Sequence, residues 1–168
     1  MGTTTIDGTL ERWISAFEEG DPDAASTCLA PDVVFRSATT SAYEYGTREH
    51  LIGMETETLP VLEDRHATEV IGDGAARAVT FAFTVAGVAA EEAQVIHFRD
   101  DGLIARITAF VRPLPALAAI PAHAGPRLAR AAGRPWLARQ ISWSSRPIAA
   151  ALRKGDASMA PRTDPARQ

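Results

Sequence analysis

Apolar residues recur with helical spacing near the start of the chain. These residues are Leu10, Trp13, Ile14 and Phe17. They predict a helix with one apolar face and charged residues on the opposite face. Gly20 follows where a glycine commonly ends a helix. Asp21-Pro22 then predicts a second helix, because aspartate is a good N-cap and proline is tolerated in the first turn.

The middle of the chain alternates apolar and polar residues, which predicts β-strands. A short strand is expected at residues 33–37, and a third helix follows Thr47. The longer runs predict four strands, at residues 65–71, 75–86, 92–99 and 103–112. Gly72-Asp73-Gly74 and Asp101-Gly102 are typical of hairpin turns. The expected fold class is therefore α+β, with helices covering the concave face of a curved antiparallel sheet.

The composition changes at Pro113, after which proline, alanine and arginine dominate. Short helices that begin at prolines are predicted at about 126–132, 135–144 and 146–154. The predicted division is a domain at 1–112, a basic helical extension at 113–154 and a disordered tail at 155–168. Trp136 and Trp143 make the extension too apolar for a purely disordered segment.

The net charge of −4 conceals an asymmetry along the chain. Residues 1–111 carry 7 arginines and 19 acidic residues, a net charge of −12, whereas residues 112–168 carry 10 basic and 2 acidic residues, a net charge of +8. The two segments should attract each other, within one chain or across a dimer. Because the acidic domain is the nearer anion for the basic extension, nucleic acid and membranes are not expected partners.

Targeting and redox signals point to the cytoplasm. The N-terminal residues lack the basic start and apolar core of a secretory signal, and no apolar run approaches the length of a membrane span. A single cysteine, Cys28, excludes a disulfide framework within one chain. The four histidines lie on different predicted elements without metal-ligand spacing, so neither a metal nor another cofactor is expected.

The order of these elements resembles the nuclear transport factor 2-like superfamily, in particular its SnoaL-like branch of polyketide cyclases and ketosteroid isomerase relatives. The resemblance covers about residues 5–112, and its motifs are Gly20-Asp21, Asp32-Val33-Val34-Phe35, Gly46, Phe81–Val85 and His97-Phe98-Arg99. It implies a cone-shaped α+β roll that encloses a cavity. The scaffold hosts several activities, so the resemblance specifies fold better than reaction.

The catalytic residues of the isomerases do not carry over to this chain. Counting from the shared motifs, the oxyanion-hole tyrosine falls on Trp13, the aspartate base on Ser37 and the protonated aspartic acid on Ile96. That mechanism requires a carboxylate base and two donors for the enolate. Ketosteroid isomerisation by those groups is therefore not expected.

The resemblance also implies which residues face the cavity. They would bind a hydrophobic, ring-containing substrate, and they are Trp13, Phe17, Phe35, Ser37, Tyr43, Met54, Phe81, Phe83, Gln94, Ile96, Phe98, Thr108 and Phe110. The alternative is that these side chains simply fill the core. Ala105, Ile107, Ala109 and Val111 are expected on the convex face.

Arg106 and Tyr45 are the predicted catalytic residues. An arginine on the inward face must find a carboxylate or a ligand anion, so Arg106 could hold an enolate, a phenolate or a carboxylate. An internal salt bridge or a position at the sheet edge are the alternatives. Tyr45 lies on a loop expected at the pocket mouth, where a tyrosine can donate to a developing oxyanion.

Two functions are consistent with these patterns. The first is a cofactor-free cyclase, isomerase or lyase that acts on a polyketide- or terpenoid-like substrate. The second is a non-catalytic ligand-binding or protein-assembly module that uses the basic extension. In either case the expected partners are a hydrophobic small molecule and a second copy of the chain, which would dock through the convex sheet face, the extension or both.

Overall fold

Two helices begin the part of the chain that the computed structural model describes, residues 5–159. Helix α1 (Ile6–Glu19) is capped by Thr5, whose hydroxyl accepts a hydrogen bond from the Gly8 amide. It ends at Gly20, which has a φ of +70°. Helix α2 (Pro22–Ser26) is capped by the Asp21 carboxylate. Both helices follow the sequence pattern.

The five strands form one curved, unclosed sheet in the order β1-β5-β4-β3-β2. The strands are β1 (Leu29–Arg36), β2 (Glu63–Ile71), β3 (Ala76–Val85), β4 (Val88–Phe98) and β5 (Ile104–Arg112). Strands β2 to β5 pair antiparallel, whereas β1 runs parallel to β5 at the sheet edge. Between β1 and β2 lie helix α3 (Arg48–Thr58) and a short 3₁₀ turn, Leu59–Val61. The predicted α+β class is confirmed.

The inner face of the sheet, which the helices cover, follows from strict alternation in β3 and β4. Phe81 and Phe83 are buried on this face, together with Gln94, Ile96 and Phe98 of the neighbouring strand. The Phe17 ring of α1 packs on the Phe81 ring with centroids 4.3 Å apart. These five positions lie on the inner face, as the alternation predicts.

The predicted orientation of β5 is wrong. Phe98 of β4 lies opposite Ile104, and the next residue, His97, lies opposite Arg106. Ala105 is therefore an extra residue in β5 that has no partner in β4. A β-bulge of this kind reverses which residues face inward beyond it. Arg106, Thr108 and Phe110 therefore lie on the outer face, and Ile107, Ala109 and Val111 on the inner face.

The outward position of Arg106 is also evident from its surroundings. It is exposed beside His97, and burial together with the Arg106 charge lowers the pKa of His97. Phe110, on the same face, is 58% exposed. The outer face thus carries a different set of residues from the one predicted.

Two long helices follow the sheet in place of three short ones. Helix α4 (Leu114–Ala131) continues through Pro121 and Pro126, and helix α5 (Pro135–Met159) continues through Pro147. They form an antiparallel hairpin, and α4 packs against α3 and the inner side of the sheet. Residues 155–159, predicted to be disordered, are helical; the rest of that segment lies outside the described residues. None of the helices within residues 5–159 combines the length and apolar character needed to span a membrane.

Candidate functional site

A cavity of about 120 Å³ lies between the sheet and helices α3 and α4. Its walls come from α1, from β1 and the loop after it, from the inner face of β4 and β5, and from α4. Apolar side chains make up most of the lining, with two carboxyl groups, Glu55 and Glu92, among them. No lysine, arginine or histidine within residues 5–159 contributes to the lining.

Tyr45 reaches the cavity because its loop is tied to the sheet edge. The backbone of Tyr45 exchanges two hydrogen bonds with Phe35 of β1, at 2.9 and 3.1 Å. The Tyr43 ring meets the Tyr45 ring edge-on at a centroid distance of 5.1 Å. Burial raises the pKa of Tyr45, and the nearby Tyr43 and Glu55 add to this effect. The phenol therefore remains a proton donor at neutral pH.

Glu55 enters the cavity from the buried face of α3. It follows Leu51 by one helical turn and Met54 by one residue, and it is only 6% exposed. Burial raises the pKa of Glu55 to about 8, and the charge of Glu92 acts in the same direction. Arg65 opposes this only in part, since its guanidinium donates to backbone carbonyls, including Phe17 O at 2.8 Å. Burial thus favours the protonated, neutral form of Glu55 at pH 7.

Glu92 enters from the inner face of β4 and is 8% exposed. The Gln94 amide nitrogen donates to Glu92 Oε1 at 2.7 Å, and Gln94 Oε1 accepts from Trp13 Nε1 at 2.8 Å. Because an indole can only donate, Trp13 fixes the amide with its oxygen toward α1 and its NH₂ toward Glu92. The Glu92 carboxyl group therefore faces the NH₂ group of Gln94 and not the amide oxygen.

The two carboxyl groups differ in their tendency to hold a proton. Burial raises the pKa of Glu92 to about 7, while the Gln94 hydrogen bond counteracts that rise. Glu55 has no such donor among the hydrogen bonds of the described residues, and the pKa of Glu55 is about 8. Because the Gln94 donor favours the charged form of Glu92 and Glu55 lacks such a donor, Glu92 is the better base and Glu55 the better acid, although the pair titrates as a unit. Two roles needed for proton transfer thus lie in one apolar cavity.

The structure distributes the predicted site residues over three locations. Five of them line the cavity, namely Phe17, Phe35, Ser37, Tyr45 and Met54. Others lie in the surrounding core or at the edge of the site, namely Trp13, Tyr43, Phe81, Phe83, Gln94, Ile96 and Phe98. The three predicted on β5 face away, namely Arg106, Thr108 and Phe110. Arg106 therefore cannot hold an anion in this cavity, and the binding roles of the lining residues stay predictions.

Sequence reasoning missed both carboxyl groups, although each had a usable signal. Glu92 lies two residues before Gln94 and so shares the inward side of its strand. Glu55 lies four residues after Leu51 on the apolar side of α3. A search for acidic residues in phase with the apolar pattern, and not for apolar residues alone, would have found both.

Other chemistry is not evident in the described residues. Within residues 5–159 no three His, Cys, Asp or Glu side chains converge on a possible metal position. Cys28 is buried, and this burial raises the pKa of its thiol. The acid and base groups of the cavity are therefore the site's most prominent reactive feature.

Comparison with protein families matches residues 10–107 to the SnoaL-like domain. No curated protein sequence matches the chain significantly. Among solved structures, a steroid Δ-isomerase from Pseudomonas aeruginosa aligns with a TM-score of 0.70 and 27% identity, covering 76% of this chain and 94% of that one. A bacterial protein with a cystatin-like fold from Silicibacter pomeroyi aligns with a TM-score of 0.68 and 22% identity, covering 77% and 93%. A putative ketosteroid isomerase from Kribbella flavida aligns with a TM-score of 0.55 and 19% identity, covering 64% and 78%.

Proposed function

The chain belongs to the SnoaL-like domain family, and we propose that it is a small-molecule enzyme that transfers protons on a hydrophobic, uncharged carbonyl compound. The observation that carries this proposal is the pair of buried carboxyl groups, Glu55 and Glu92, in one apolar cavity. Similarity to the Pseudomonas isomerase supports an isomerase-type proton transfer. Related outcomes of the same chemistry are cyclisation and elimination on polyketide- or terpenoid-like substrates.

The proposed reaction assigns one role to each carboxyl group. The Glu92 carboxylate removes a proton from the carbon next to the carbonyl, and the electron pair moves onto the carbonyl oxygen. Glu55 donates its proton to that oxygen, so that an enol forms, and Tyr45 is a second hydrogen-bond donor. If the substrate carries a C=C bond next to the acidic carbon, the product of this step is a dienol. Glu92 then returns its proton to the far end of the dienol, the O–H proton goes back to Glu55, and the double bond moves into conjugation with the carbonyl. Attack of the enol carbon on a second carbonyl would instead close a ring, with the Glu92 proton passing to the new alkoxide and the enol proton returning to Glu55. Loss of a β-leaving group that takes up the Glu92 proton, with the enol proton again returning to Glu55, would make the enzyme a lyase.

The charge of the cavity supports an uncharged substrate. Its ionisable groups are acidic or phenolic, and no cation of the described residues lines it. A substrate carboxylate or phosphate would meet the Glu92 charge in a mostly apolar, largely buried site, which is unfavourable. This assignment differs from the one expected from Arg106, which would have favoured an anion.

The experiment that tests this proposal is hydrogen exchange at the acidic carbon of 2-tetralone in deuterium oxide, followed by mass spectrometry. The parent protein should accelerate the exchange above the buffer rate, and Glu92→Gln should reduce the acceleration roughly 10²- to 10⁴-fold. Glu91→Gln is the matched control, because Glu91 is the adjacent residue on the outer face, paired with Arg112 at 3.1 Å. Full exchange activity in Glu92→Gln would contradict the assignment of the base.

A second candidate function is assembly with another copy of the chain. Trp136 and Trp143 of α5 are 65% and 83% exposed, and Phe110 is exposed on the outer sheet face. Exposed apolar groups of this size favour an interface, and the basic extension is complementary to the acidic domain of a second copy. Light scattering should report a dimer for the parent chain and a monomer for Trp136→Ala/Trp143→Ala. An unchanged mass would exclude these tryptophans from an interface.

A further inference from the structure

One wall of the cavity comes from outside the family domain. The family match ends at residue 107, whereas helix α4 spans Leu114–Ala131. The α4 residues that line the cavity are Ile120, Pro121, Ala124, Gly125 and Leu128. Their spacing of three to four residues places them on one face of the helix. The family domain alone would thus leave this side of the cavity without these contacts.

The small residues at the centre of this face leave room in the cavity. Ala124 lies between Ile120 and Leu128, one turn from each, and is only 2% exposed. At Gly125 an added Cβ would point away from the cavity, since it would approach Ile141 Cγ2 of α5 at 3.1 Å. The position at which a larger side chain would project into the cavity is therefore Ala124.

Contacts on two sides hold α4 in place. Arg127 donates from Nε to the Glu57 carbonyl at 3.0 Å, and the same nitrogen lies 3.3 Å from the Glu57 carboxylate. Glu57 belongs to α3, the helix that also carries Glu55. On the other side, α5 packs closely on α4 at Gly125. Helix α4 is therefore held against α3, the helix that carries Glu55, on one side and against α5 on the other.

We propose that helix α4 is the specificity wall of this cavity, and that Ala124, with Ile120 and Leu128 on either side, sets the size of the hydrophobic ring system it accepts. This inference rests on the proposed function, because it names the part of the chain that selects the substrate by size. In this assignment the extension completes the binding site of its own chain. A larger side chain at position 124 would reduce the space in this cavity of about 120 Å³.

The test uses three uncharged aromatic alcohols of increasing size, namely phenol, 4-methylphenol and 2-naphthol, with affinities measured by fluorescence or calorimetry on the full chain. Ala124→Leu should weaken the binding of 2-naphthol about tenfold or more and that of phenol much less, because overpacking of a filled site is unfavourable. Leu128→Ala should have the reverse effect and improve the affinity for 2-naphthol relative to phenol. Ala118→Leu is the control, since Ala118 lies on α4 away from the cavity lining.

The possible outcomes separate this inference from the proposed function. If the three affinities keep the same ratios in the parent, Ala124→Leu and Leu128→Ala, the wall does not select by size and the inference is wrong, although the carboxyl chemistry could stand. If no alcohol binds the parent protein, both are wrong. Ala124→Val replaces Ala124→Leu if the larger variant fails to fold by circular dichroism, and the same change in ratios is then expected on a smaller scale.

Discussion

Replacing Glu55 with glutamine should stabilise the protein at alkaline pH. Glu55 is buried, and its pKa rises from 4.5 to about 8 on folding. A group whose pKa is raised in the folded state favours folding below its unfolded pKa, and this advantage is lost as the pH rises through the folded value. Since one pKa unit corresponds to about 1.4 kcal/mol, the loss between pH 4.5 and pH 8 is on the order of 5 kcal/mol. A glutamine side chain is neutral at every pH and avoids this loss.

Urea denaturation at about pH 5 and about pH 8.5 measures this effect. The unfolding free energy of the parent chain should fall by several kcal/mol from the lower pH to the higher. In Glu55→Gln this fall should be smaller, by an amount on the order of 5 kcal/mol. Glu92→Gln should show the same behaviour with a smaller difference, because the pKa of Glu92 rises only to about 7. The control is Glu49→Gln, which changes an exposed carboxylate at the start of the same helix.

Equal pH dependence in the parent and in Glu55→Gln would refute the reasoning. It would mean that Glu55 is ionised in the folded protein at little cost, as a solvated carboxylate is. Such a group could not act as the acid of the proposed reaction at neutral pH. The stability measurement therefore tests the protonation state on which the mechanism depends without requiring a known substrate.

Three further predictions follow from individual contacts. Arg106→Leu should leave 2-tetralone exchange unchanged, because Arg106 lies on the outer face; a large loss of exchange would contradict the register of β5. Gly20→Ala should lower the unfolding free energy by roughly 1–2 kcal/mol, since φ is +70° and the new Cβ would lie 2.5 Å from Arg65 Nη2; an unchanged urea midpoint would contradict this. Alanine has a better helix propensity than glycine, so Gly125→Ala should raise the unfolding free energy by roughly 1 kcal/mol, but only when Ile141→Leu removes the opposing Cγ2 methyl group. A double-mutant cycle would detect this dependence as coupling between the two positions.

The inner faces of β3 and β4 could be predicted from the sequence because their alternation is uninterrupted. Phe81 and Phe83 point inward with Gln94 and Ile96, as the pattern indicates. In β5 the residues on the inner face are all apolar, whereas the outer face carries Arg106 and Thr108. The alternation alone therefore favours the observed orientation, and the opposite one comes from the resemblance. The bulge at Ala105 then decided the orientation, and no turn residue marks it in the sequence.

The extension was predicted less well because proline is ambiguous in a helix. Its missing amide makes it suitable for a first turn, which predicts helices that begin at Pro126 and Pro147. In the structure both residues lie inside long helices, as does Pro121. The buried alanines of α4 pack against the domain, and this tertiary packing outweighs the local preference. The wall of the cavity therefore could not be predicted from local signals.

The sign of the charged groups in the cavity determines how the proposed reaction must proceed. An inward arginine would have stabilised an enolate by its positive charge alone. Two carboxyl groups cannot do this, so the negative charge that develops on the substrate oxygen must be neutralised by a proton, and that proton can come from Glu55. The burial that keeps Glu55 protonated is the same burial that destabilises the fold as the pH rises toward about 8. Stability should therefore fall between about pH 4.5 and pH 8, whereas exchange should fall as the pH rises through about 8 and Glu55 loses its proton. Glu55→Gln should separate the two by restoring stability without restoring exchange.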